Sequence, residues 1–526
     1  MRRVSPNGRG LIIKISRKVG RTAVAVTGAA TLVALAAGAA GAASPKPQAV
    51  ADVPLKLVAG STEVTLDKYP DSGIVLDLGT HVVAGKNPIE VRATRKSYSD
   101  PVVGSQLVNG KPKALPAGMV TDFGGLAKFL HLTITDAKGK KVYDKDRTFC
   151  LNGEGSRTRP DAPATSPYPE GCSANPFTLG SVWGLQAGWS SNTTGYYDEE
   201  TVDLPIGKYT AKLSVNKAYK DYFKIGAYDS AVTLKVTVRE AEDCPAGGHT
   251  NGCKQTFAKA KAKSLTKGGV EPKAAKVAPK ANAQRPTGKA SVPKGPKPDL
   301  RSLPAWGIQV GPGDEGTPEA DRDYLAFSAT VWNAGPSPLV LDGFRQQGKD
   351  LMDAYQYFYD ANGKQVGYQN TGTMEWDPRE GHTHWHFTDF ARYSLLSAKQ
   401  TEVVRSQKEA FCLAATDSID YTVKNANWHP SNTDLHTACG NHGSLSVREV
   451  LDVGSGDTYA QFRPGQSFDV TDLANGEYYI QVQANPEKRL FESSTTNNIA
   501  LRKVILGGTL HHRTVKVPPV GLIDAP

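Results

Sequence analysis

Three closely spaced histidines are the strongest candidate for a reactive centre in this sequence. His382, His384 and His386 occupy positions i, i+2 and i+4. Residues two apart in a β-strand share one face, so the spacing predicts three imidazoles that converge on one point. Neutral imidazole binds copper, zinc, nickel and iron. The residues alone therefore predict a transition-metal site without selecting the metal, and the alternative is a solvated histidine-rich strand.

Alternation of apolar and polar residues is the main pattern that would position such a site. It is clear at residues 209–215, 232–238 and 478–483, and it predicts half-buried strands. Long helical periodicity is scarce, and 526 residues are too many for one hydrophobic core. We therefore expect an all-β protein with two β-sandwich-like domains. Their expected bounds are 52–242 and 299–508, followed by a C-terminal tail at 509–526.

The segment between the two predicted domains, residues 243–298, begins with a cysteine pair and is rich in Lys, Ala and Pro. From Lys254 to Lys297 it carries eleven Lys and one Arg against one Glu, a net +11 in a chain of net +10. Such a composition predicts a disordered basic linker and gives no reason to expect a nucleic-acid-binding domain. The linker could hold the protein to anionic cell-wall polymers by charge, be a lysine substrate of the protein itself, or be a plain spacer.

The first 42 residues are typical of a secretion signal. Basic residues precede a small, apolar run over 22–42, and Ala40-Gly41-Ala42 fits a cleavage site. The alternative is an uncleaved membrane anchor, since the run nearly has the length needed to span a bilayer. We expect a secreted or cell-wall-associated protein, in which six cysteines form disulfides. The predicted pairs are Cys150–Cys172, Cys244–Cys253 and Cys412–Cys439.

The two predicted domains share short segments in the same order. Residues 84–88, 149–151 and 204–209 resemble 334–338, 411–413 and 473–478. This order favours a diverged duplication, against the alternative that two sandwiches reuse the same turns and disulfides. The first copy has no His-x-His pair, has Asp146 four residues before Cys150, and has Trp189 and Ser190 in the region that we match to Tyr459. We therefore expect it to be non-catalytic.

Several ordered motifs of the second domain resemble the lysyl oxidase family. The run Gly381-His382-Thr383-His384-Trp385-His386, continued to Leu396, is similar to the copper-binding segment of that family. Lys408-Glu409-Ala410-Phe411-Cys412-Leu413 and Asp457-Thr458-Tyr459 are similar to two further motifs, as are 469–472 and 485–498. The resemblance covers about 370–506. It implies copper on the three histidines and a lysine tyrosylquinone cofactor made from Lys408 and Tyr459.

The resemblance also implies an activity. It would be an oxidoreductase that acts on CH–NH2 groups with O2 as acceptor, turning a primary amine or the lysine of a protein substrate into an aldehyde with release of peroxide and ammonia. A base must remove a proton from the substrate carbon. The candidates are His429, His436, His442 and Asp389. Two alternatives remain: a non-catalytic, extracellular metal-binding or adhesive cell-wall protein with this domain, and a zinc site on a structural β domain.

Overall fold

A computed structural model describes most of the chain beyond the predicted signal. The described residues are 54–69, 73–194, 201–241, 284–313, 320–360, 363–379, 383–406, 410–430, 439–461 and 467–526. The fold is all-β, as predicted, with thirty-one strands and one short helix among the described residues. In the same described part of the chain, no helix is long and apolar enough to cross a membrane.

The first domain consists of fifteen strands and helix α1 (Lys217–Phe223), which joins the last two strands. The strands are β1 (Leu55–Ala59), β2 (Glu63–Lys68), β3 (Ile74–Val75), β4 (Thr80–Ala84), β5 (Ile89–Thr94), β6 (Val103–Val108), β7 (Lys111–Ala114), β8 (Leu126–Asp136), β9 (Lys141–Phe149), β10 (Gly155–Arg157), β11 (Gly180–Leu185), β12 (Trp189–Asn192), β13 (Thr201–Val202), β14 (Gly207–Val215) and β15 (Ala231–Glu240). Its larger sheets have the strand orders β2-β15-β14-β8-β9, β1-β4-β12-β10 and β11-β5-β6-β7.

The second domain adds sixteen strands. They are β16 (Leu300–Ser302), β17 (Trp306–Pro312), β18 (Asp323–Asn333), β19 (Leu339–Arg345), β20 (Leu351–Tyr359), β21 (Gln365–Asp377), β22 (His384–Phe387), β23 (Ala391–Ser397), β24 (Glu402–Arg405), β25 (Asp417–Ser418), β26 (Ser446–Leu451), β27 (Ser455–Gln461), β28 (Phe468–Asp469), β29 (Gly476–Ala484), β30 (Ile499–Thr509) and β31 (His512–Lys516). The sheets run β24-β23-β29-β30-β31, β22-β21-β20-β19-β26 and β16-β18-β27-β25.

The same pattern of strand pairing occurs in both domains. The neighbours β9-β8-β14-β15 have the counterparts β24-β23-β29-β30, and the pairs β4-β12 and β5-β11 have the counterparts β18-β27 and β19-β26. The disulfides Cys150–Cys172 and Cys412–Cys439 follow β9 and β24, which confirms two of the predicted pairs. The third predicted pair, Cys244–Cys253, lies outside the described residues. The shared topology supports the interpretation that one domain is a diverged copy of the other.

A tyrosine corner is a further shared detail. The Tyr209 hydroxyl donates a hydrogen bond to the carbonyl of Pro205 at 2.7 Å, and the Tyr478 hydroxyl donates to the carbonyl of Ala474 at 2.8 Å. Both bonds span four residues at the start of equivalent strands, in the segments that the sequence had matched. This kind of bond holds the chain where it enters a sandwich strand.

The two domains contact each other through main-chain hydrogen bonds. The amides of Leu179 and Gly180 donate to the carbonyl of Ile419 at 2.8 and 3.2 Å, and the amide of Tyr421 donates to Gly180 at 2.9 Å. A small apolar cluster beside them includes Phe177 from the first domain and Trp332 from the second. Each domain also buries a large core of its own.

Parts of the predicted linker and tail belong to the fold. Ser291 donates a hydrogen bond to Tyr368 at 2.9 Å, so residues 284–298 lie against the second domain, while 242–283 are outside the described residues. In the predicted tail, β31 pairs with β30, and Leu522 donates to the carbonyl of Tyr98 at 2.7 Å. The tail therefore contacts both domains, which its Pro-rich sequence gave little reason to expect.

The tyrosine corner of the first domain can be tested by removing one hydroxyl. Because Tyr209 is buried and its hydroxyl bonds to Pro205, Tyr209→Phe should lower the free energy of unfolding by about 1 kcal/mol in chemical denaturation. Tyr228→Phe is the control, since Tyr228 is 90% exposed. Equal stability of the two variants would show that the corner bond does not stabilise the domain.

Candidate functional site

The histidine strand β22 lies at the edge of a five-stranded sheet, paired with β21. His386 is opposite Glu375 and His384 is opposite Asp377. The rings of His384 and His386 are 4.7 Å apart between centroids, and their residues are 9% and 1% exposed. Two of the three predicted ligands therefore share a buried face, as the i, i+2 spacing requires. His382 lies outside the described residues.

A carboxylate accompanies these imidazoles. Asp377 Oδ2 is 3.4 Å from His386 Nδ1, and Arg379 binds the same carboxylate through its side chain and its amide. Burial acts to raise the pKa of Asp377, but the hydrogen bonds from Arg379 and the charge of His386 outweigh it and lower the pKa to about 2. A permanent carboxylate beside a metal-binding imidazole orients the ring and raises its basicity.

The donor set suits a copper or zinc ion. Buried imidazoles with a carboxylate partner are ligands that these metals accept readily. Within the described residues, which do not include His382, no cluster of three or more His, Cys, Asp or Glu side chains is present. The three-histidine set thus stays a prediction that the arrangement of His384 and His386 supports.

Tyr459, the predicted cofactor tyrosine, lies on β27 and points into the second domain. Its hydroxyl donates a short hydrogen bond to the carbonyl of Cys412, and its ring lies 4.9 Å from that of Phe411. Phe411 in turn exchanges two main-chain hydrogen bonds with Phe387, at 2.8 and 3.0 Å. Since Phe387 follows His386, one short bridge connects the tyrosine to the histidine strand. Lys408 lies outside the described residues, four positions before Cys412.

Two buried acids lie close to this tyrosine. Glu449 is fully buried and Asp457 is 2% exposed, and Glu449 accepts a hydrogen bond from the amide of Leu413 at 3.1 Å. Burial raises the pKa of Tyr459 well above its usual range, and the charges of Asp457 and Glu449 raise it further. The pKa of Glu449 is also raised well above its usual range, by burial first and then by Asp457. The tyrosine is consequently a neutral phenol.

Gln461 continues the same face of β27, two residues after Tyr459. It is fully buried, and neither atom of its side-chain amide has a hydrogen-bond partner among the described residues. Burying an amide in this way costs about 2–7 kcal/mol. The amide is therefore available to a polar group near Tyr459.

Sequence reasoning assigned no role to four polar residues around the predicted centre: Asp377, Glu449, Asp457 and Gln461. Alternation along β27 could have assigned Asp457 and Gln461 to the face of Tyr459. No local signal identifies Glu449, because its partner Leu413 is distant in sequence. None identifies Asp377, because its place beside the histidines depends on the register of β21 and β22.

The predicted bases have separate surroundings. His442 is exposed, with Nε2 2.9 Å from Asp350 and its ring 5.1 Å from that of Trp376, and Trp376 also contacts Trp385. On β22, Trp385 points away from the face of its two histidine neighbours. His442 thus lies on the opposite side from the imidazole pair.

Two other predicted bases have different neighbours. Asp389 lies 3.1 Å from Arg489, and His429 lines a cleft between the two domains. His436 lies outside the described residues. The identity of the base stays a prediction.

The first domain has different residues at the equivalent positions. In the second domain, the hydroxyls of Thr330 and Thr458 share a hydrogen bond of 2.7 Å. In the first domain, the equivalent bond joins Thr80 and Thr193 at 2.5 Å. The residue equivalent to Tyr459 is consequently Thr194. This corrects the sequence match to Trp189 and Ser190, which overlooked the different strand lengths. Asp146, the counterpart of Lys408, bonds to His131 at 2.9 Å.

Comparison with known proteins agrees with the geometry of the second domain. Residues 352–515 match the family model described as Lysyl oxidase. The chain is 32% identical to Lysyl oxidase homolog 2 of Xenopus tropicalis over 139 residues, 26% of this chain and 16% of that protein. It is 32% identical to Lysyl oxidase homolog 4 of Mus musculus over 129 residues, and to that of Homo sapiens over 130. Both of these alignments span 24% of this chain and 15% of the relative.

Asp377 offers a test of the histidine face. Because it orients His386, Asp377→Asn should weaken Cu²⁺ binding about 10–100-fold, measured by competition with a chelator of known affinity. Asp472→Asn, at a carboxylate that is 88% exposed, should leave the affinity unchanged. If Asp377→Asn binds copper as tightly as the wild type, this carboxylate does not contribute to metal binding.

Glu449 predicts a pH dependence of stability. The folded protein keeps the Glu449 proton to higher pH than the unfolded chain, which loses it near pH 4.5. The free energy of unfolding must then fall as pH rises above about 4.5, until the folded pKa is passed. Glu449→Gln should remove a slope of up to about 1.4 kcal/mol per pH unit.

The measurement is denaturant unfolding from pH 4 upward, with exposed Glu63→Gln as the control. Identical slopes in the wild type and Glu449→Gln would contradict the raised pKa.

Proposed function

Since residues 352–515 of this chain form a lysyl oxidase family domain, we propose that the protein is a secreted, copper-dependent amine oxidase. The substrate would be a primary amine or the lysine of a protein. O2 would accept its electrons and water would supply the aldehyde oxygen, so that the products are an aldehyde, peroxide and ammonia. The observation that carries the proposal is the bridge from Tyr459 through Phe411 to Phe387 and the histidine strand. The relatives are several times longer than the matched region, so the activity is inferred from this domain alone.

The metal would be held by His382, His384 and His386, and the cofactor would be made from Lys408 and Tyr459. Copper and a lysine tyrosylquinone would supply the redox chemistry between the amine and O2. The residues of the chain would supply position and proton transfer. His386 would be oriented by Asp377, whose carboxylate Arg379 keeps ionised.

The surroundings of Tyr459 are suited to this chemistry. The Cys412 carbonyl and the Phe411 ring hold the phenol in one orientation, and the partly buried ring packs against the core of the second domain. Glu449 and Asp457 are close enough to affect its pKa, so these two acids are further candidates for proton transfer in this region, beside the bases predicted from sequence. Disulfide Cys412–Cys439 anchors the carbonyl to which the phenol bonds.

The proposed location is outside the cell, free or at the cell wall. It rests on the signal-like residues 1–42 and on the two disulfides that the structure contains. Disulfides persist mainly in oxidising compartments. The basic residues between Lys254 and Lys297 would add charge attraction to anionic wall polymers.

Replacing Tyr459 tests the proposal directly. Copper-loaded, aerated wild-type protein should acquire a visible quinone absorbance, react with phenylhydrazine and release peroxide from a panel of primary amines. Tyr459→Phe should lose all three signals, while Tyr228→Phe, at an exposed position, should keep them. Copper content of both variants should match the wild type.

Two outcomes would redirect the interpretation. A copper-replete wild type that reacts with no carbonyl reagent would favour a non-catalytic metal-binding or adhesive protein. Stoichiometric zinc with no affinity for copper would favour a structural site.

A further inference from the structure

A cleft of about 340 Å³ lies between the two domains, away from the predicted cofactor. One wall is residues 170–174 of the first domain, and the other is formed by residues 415–418 with Tyr421, Trp428 and His429 of the second. Clefts of this size at domain junctions are typical ligand sites. Neither domain could form this cleft alone.

Both walls are held firmly. The first-domain wall contains Cys172, tied by its disulfide to Cys150, and Ser173, whose hydroxyl donates to the carbonyl of Ser418 at 2.7 Å. In the second domain, the Trp428 indole donates to the carbonyl of Tyr421 at 2.9 Å. These contacts connect the walls and fix an aromatic ring at the rim. The cleft is therefore preformed, which lowers the ordering cost of binding.

The lining chemistry favours a cation. The charged side chains are the carboxylates of Glu170 and Asp417, and no Lys or Arg is among the described residues that line the cleft. Two carboxylates disfavour an anion. Tyr421 and Trp428 add aromatic rings, which attract organic cations through their faces. An alkylammonium group fits this combination, because it has three hydrogen-bond donors and an apolar stem.

Two polar groups in the cleft are suited to receive such donors. Nε2 of His429 is buried and has no hydrogen-bond partner among the described residues, while the His429 amide is already bonded to Asn427 at 3.1 Å. The Asp417 carboxylate accepts from the Thr458 hydroxyl. Burial nevertheless raises the pKa of Asp417, against the hydrogen bonds from Thr458 and Asn175. A cation beside Asp417 would offset that cost of burial.

The cleft is separate from the cofactor tyrosine, although it is next to it in sequence. Thr458 and Tyr459 are consecutive on β27, so their side chains point to opposite faces. Thr458 reaches Asp417 in the cleft, and Tyr459 reaches Cys412 in the interior of the domain. A ligand in the cleft would lie beside Asp417, which Thr458 contacts from the face of β27 opposite to Tyr459.

We propose that this cleft is an exosite for a lysine side chain of a polypeptide substrate, bound by Asp417, Glu170 and His429 between the rings of Tyr421 and Trp428. The role as a substrate exosite rests on the proposed amine oxidase function, but the binding does not. A polypeptide with several lysines would be held at the cleft by one lysine while another is oxidised. The first domain thus contributes to recognition although it lacks the residues of the reactive centre.

Binding is measured on the full chain carrying Tyr459→Phe, so that turnover cannot interfere. The probe is an acetylated, amidated Gly-Lys-Gly peptide, and the matched peptide with norleucine lacks only the ammonium group. By calorimetry or NMR titration, the lysine peptide should bind at least ten-fold more tightly than the norleucine peptide. Asp417→Asn should weaken its binding about ten-fold, as expected for a lost charged hydrogen bond, and exposed Glu170→Gln about three-fold.

Asp472→Asn, at an exposed carboxylate that does not line the cleft, should leave binding unchanged. Because Glu170 is exposed, its substitution is informative even where Asp417→Asn fails to fold. Equal binding of the two peptides, or equal binding of the lysine peptide by the parent and Glu170→Gln chains, would overturn the proposal.

Kinetic measurements distinguish the lysine exosite from the proposed amine oxidase function. In a chain with Tyr459 intact, Glu170→Gln should raise KM for a polylysine substrate and leave kcat for a small alkylamine unchanged. If the cleft binds lysine specifically but the chain with Tyr459 intact has no oxidase activity, the exosite is retained and the amine oxidase function is rejected. If that chain is active but Glu170→Gln does not change KM for polylysine, the amine oxidase function is retained and the exosite is rejected.

Discussion

The predicted reactive centre depends on a pair of main-chain hydrogen bonds between Phe387 and Phe411. Phe387 ends the histidine strand, and Phe411 precedes Cys412, whose carbonyl receives the Tyr459 hydroxyl. The pair ties β22, an edge strand of one sheet, to the segment whose Cys412 carbonyl receives the hydroxyl of Tyr459 from β27 in another sheet.

The residues around this pair are buried, and burying acidic groups among them lowers the stability of the folded protein. Phe387, Phe411 and Cys412 are almost fully buried, and the disulfide to Cys439 holds the chain after the site. Glu449 is buried beside them, and burial raises its pKa well above the usual range of a glutamate. Buried acids reduce stability, so their presence here favours a chemical role over a structural one.

Much of the fold could be predicted because strand alternation and turn residues are local signals. The shared disulfide and Gly-x-Tyr segments pointed to a repeated domain, and the strand pairing agrees. Distant partners could not be predicted. Nothing near His386 in sequence indicates that Asp377 lies on the neighbouring strand, and no local signal indicates that Asp417 of one domain and Glu170 of the other line the same cleft. These contacts follow from register and docking, which depend on the whole chain.

Tyr459 and Thr194 occupy equivalent positions of the two domains, and this difference shows what their shared topology holds constant. The threonine pairs Thr330–Thr458 and Thr80–Thr193 link equivalent strands in both domains. Register sets which way the next side chain points, so a phenol in one domain and a hydroxyl in the other lie on the same face of equivalent strands. The first domain lacks the residues predicted to react, and its residues 170–174 form one wall of the cleft that Asp417 lines from the second domain.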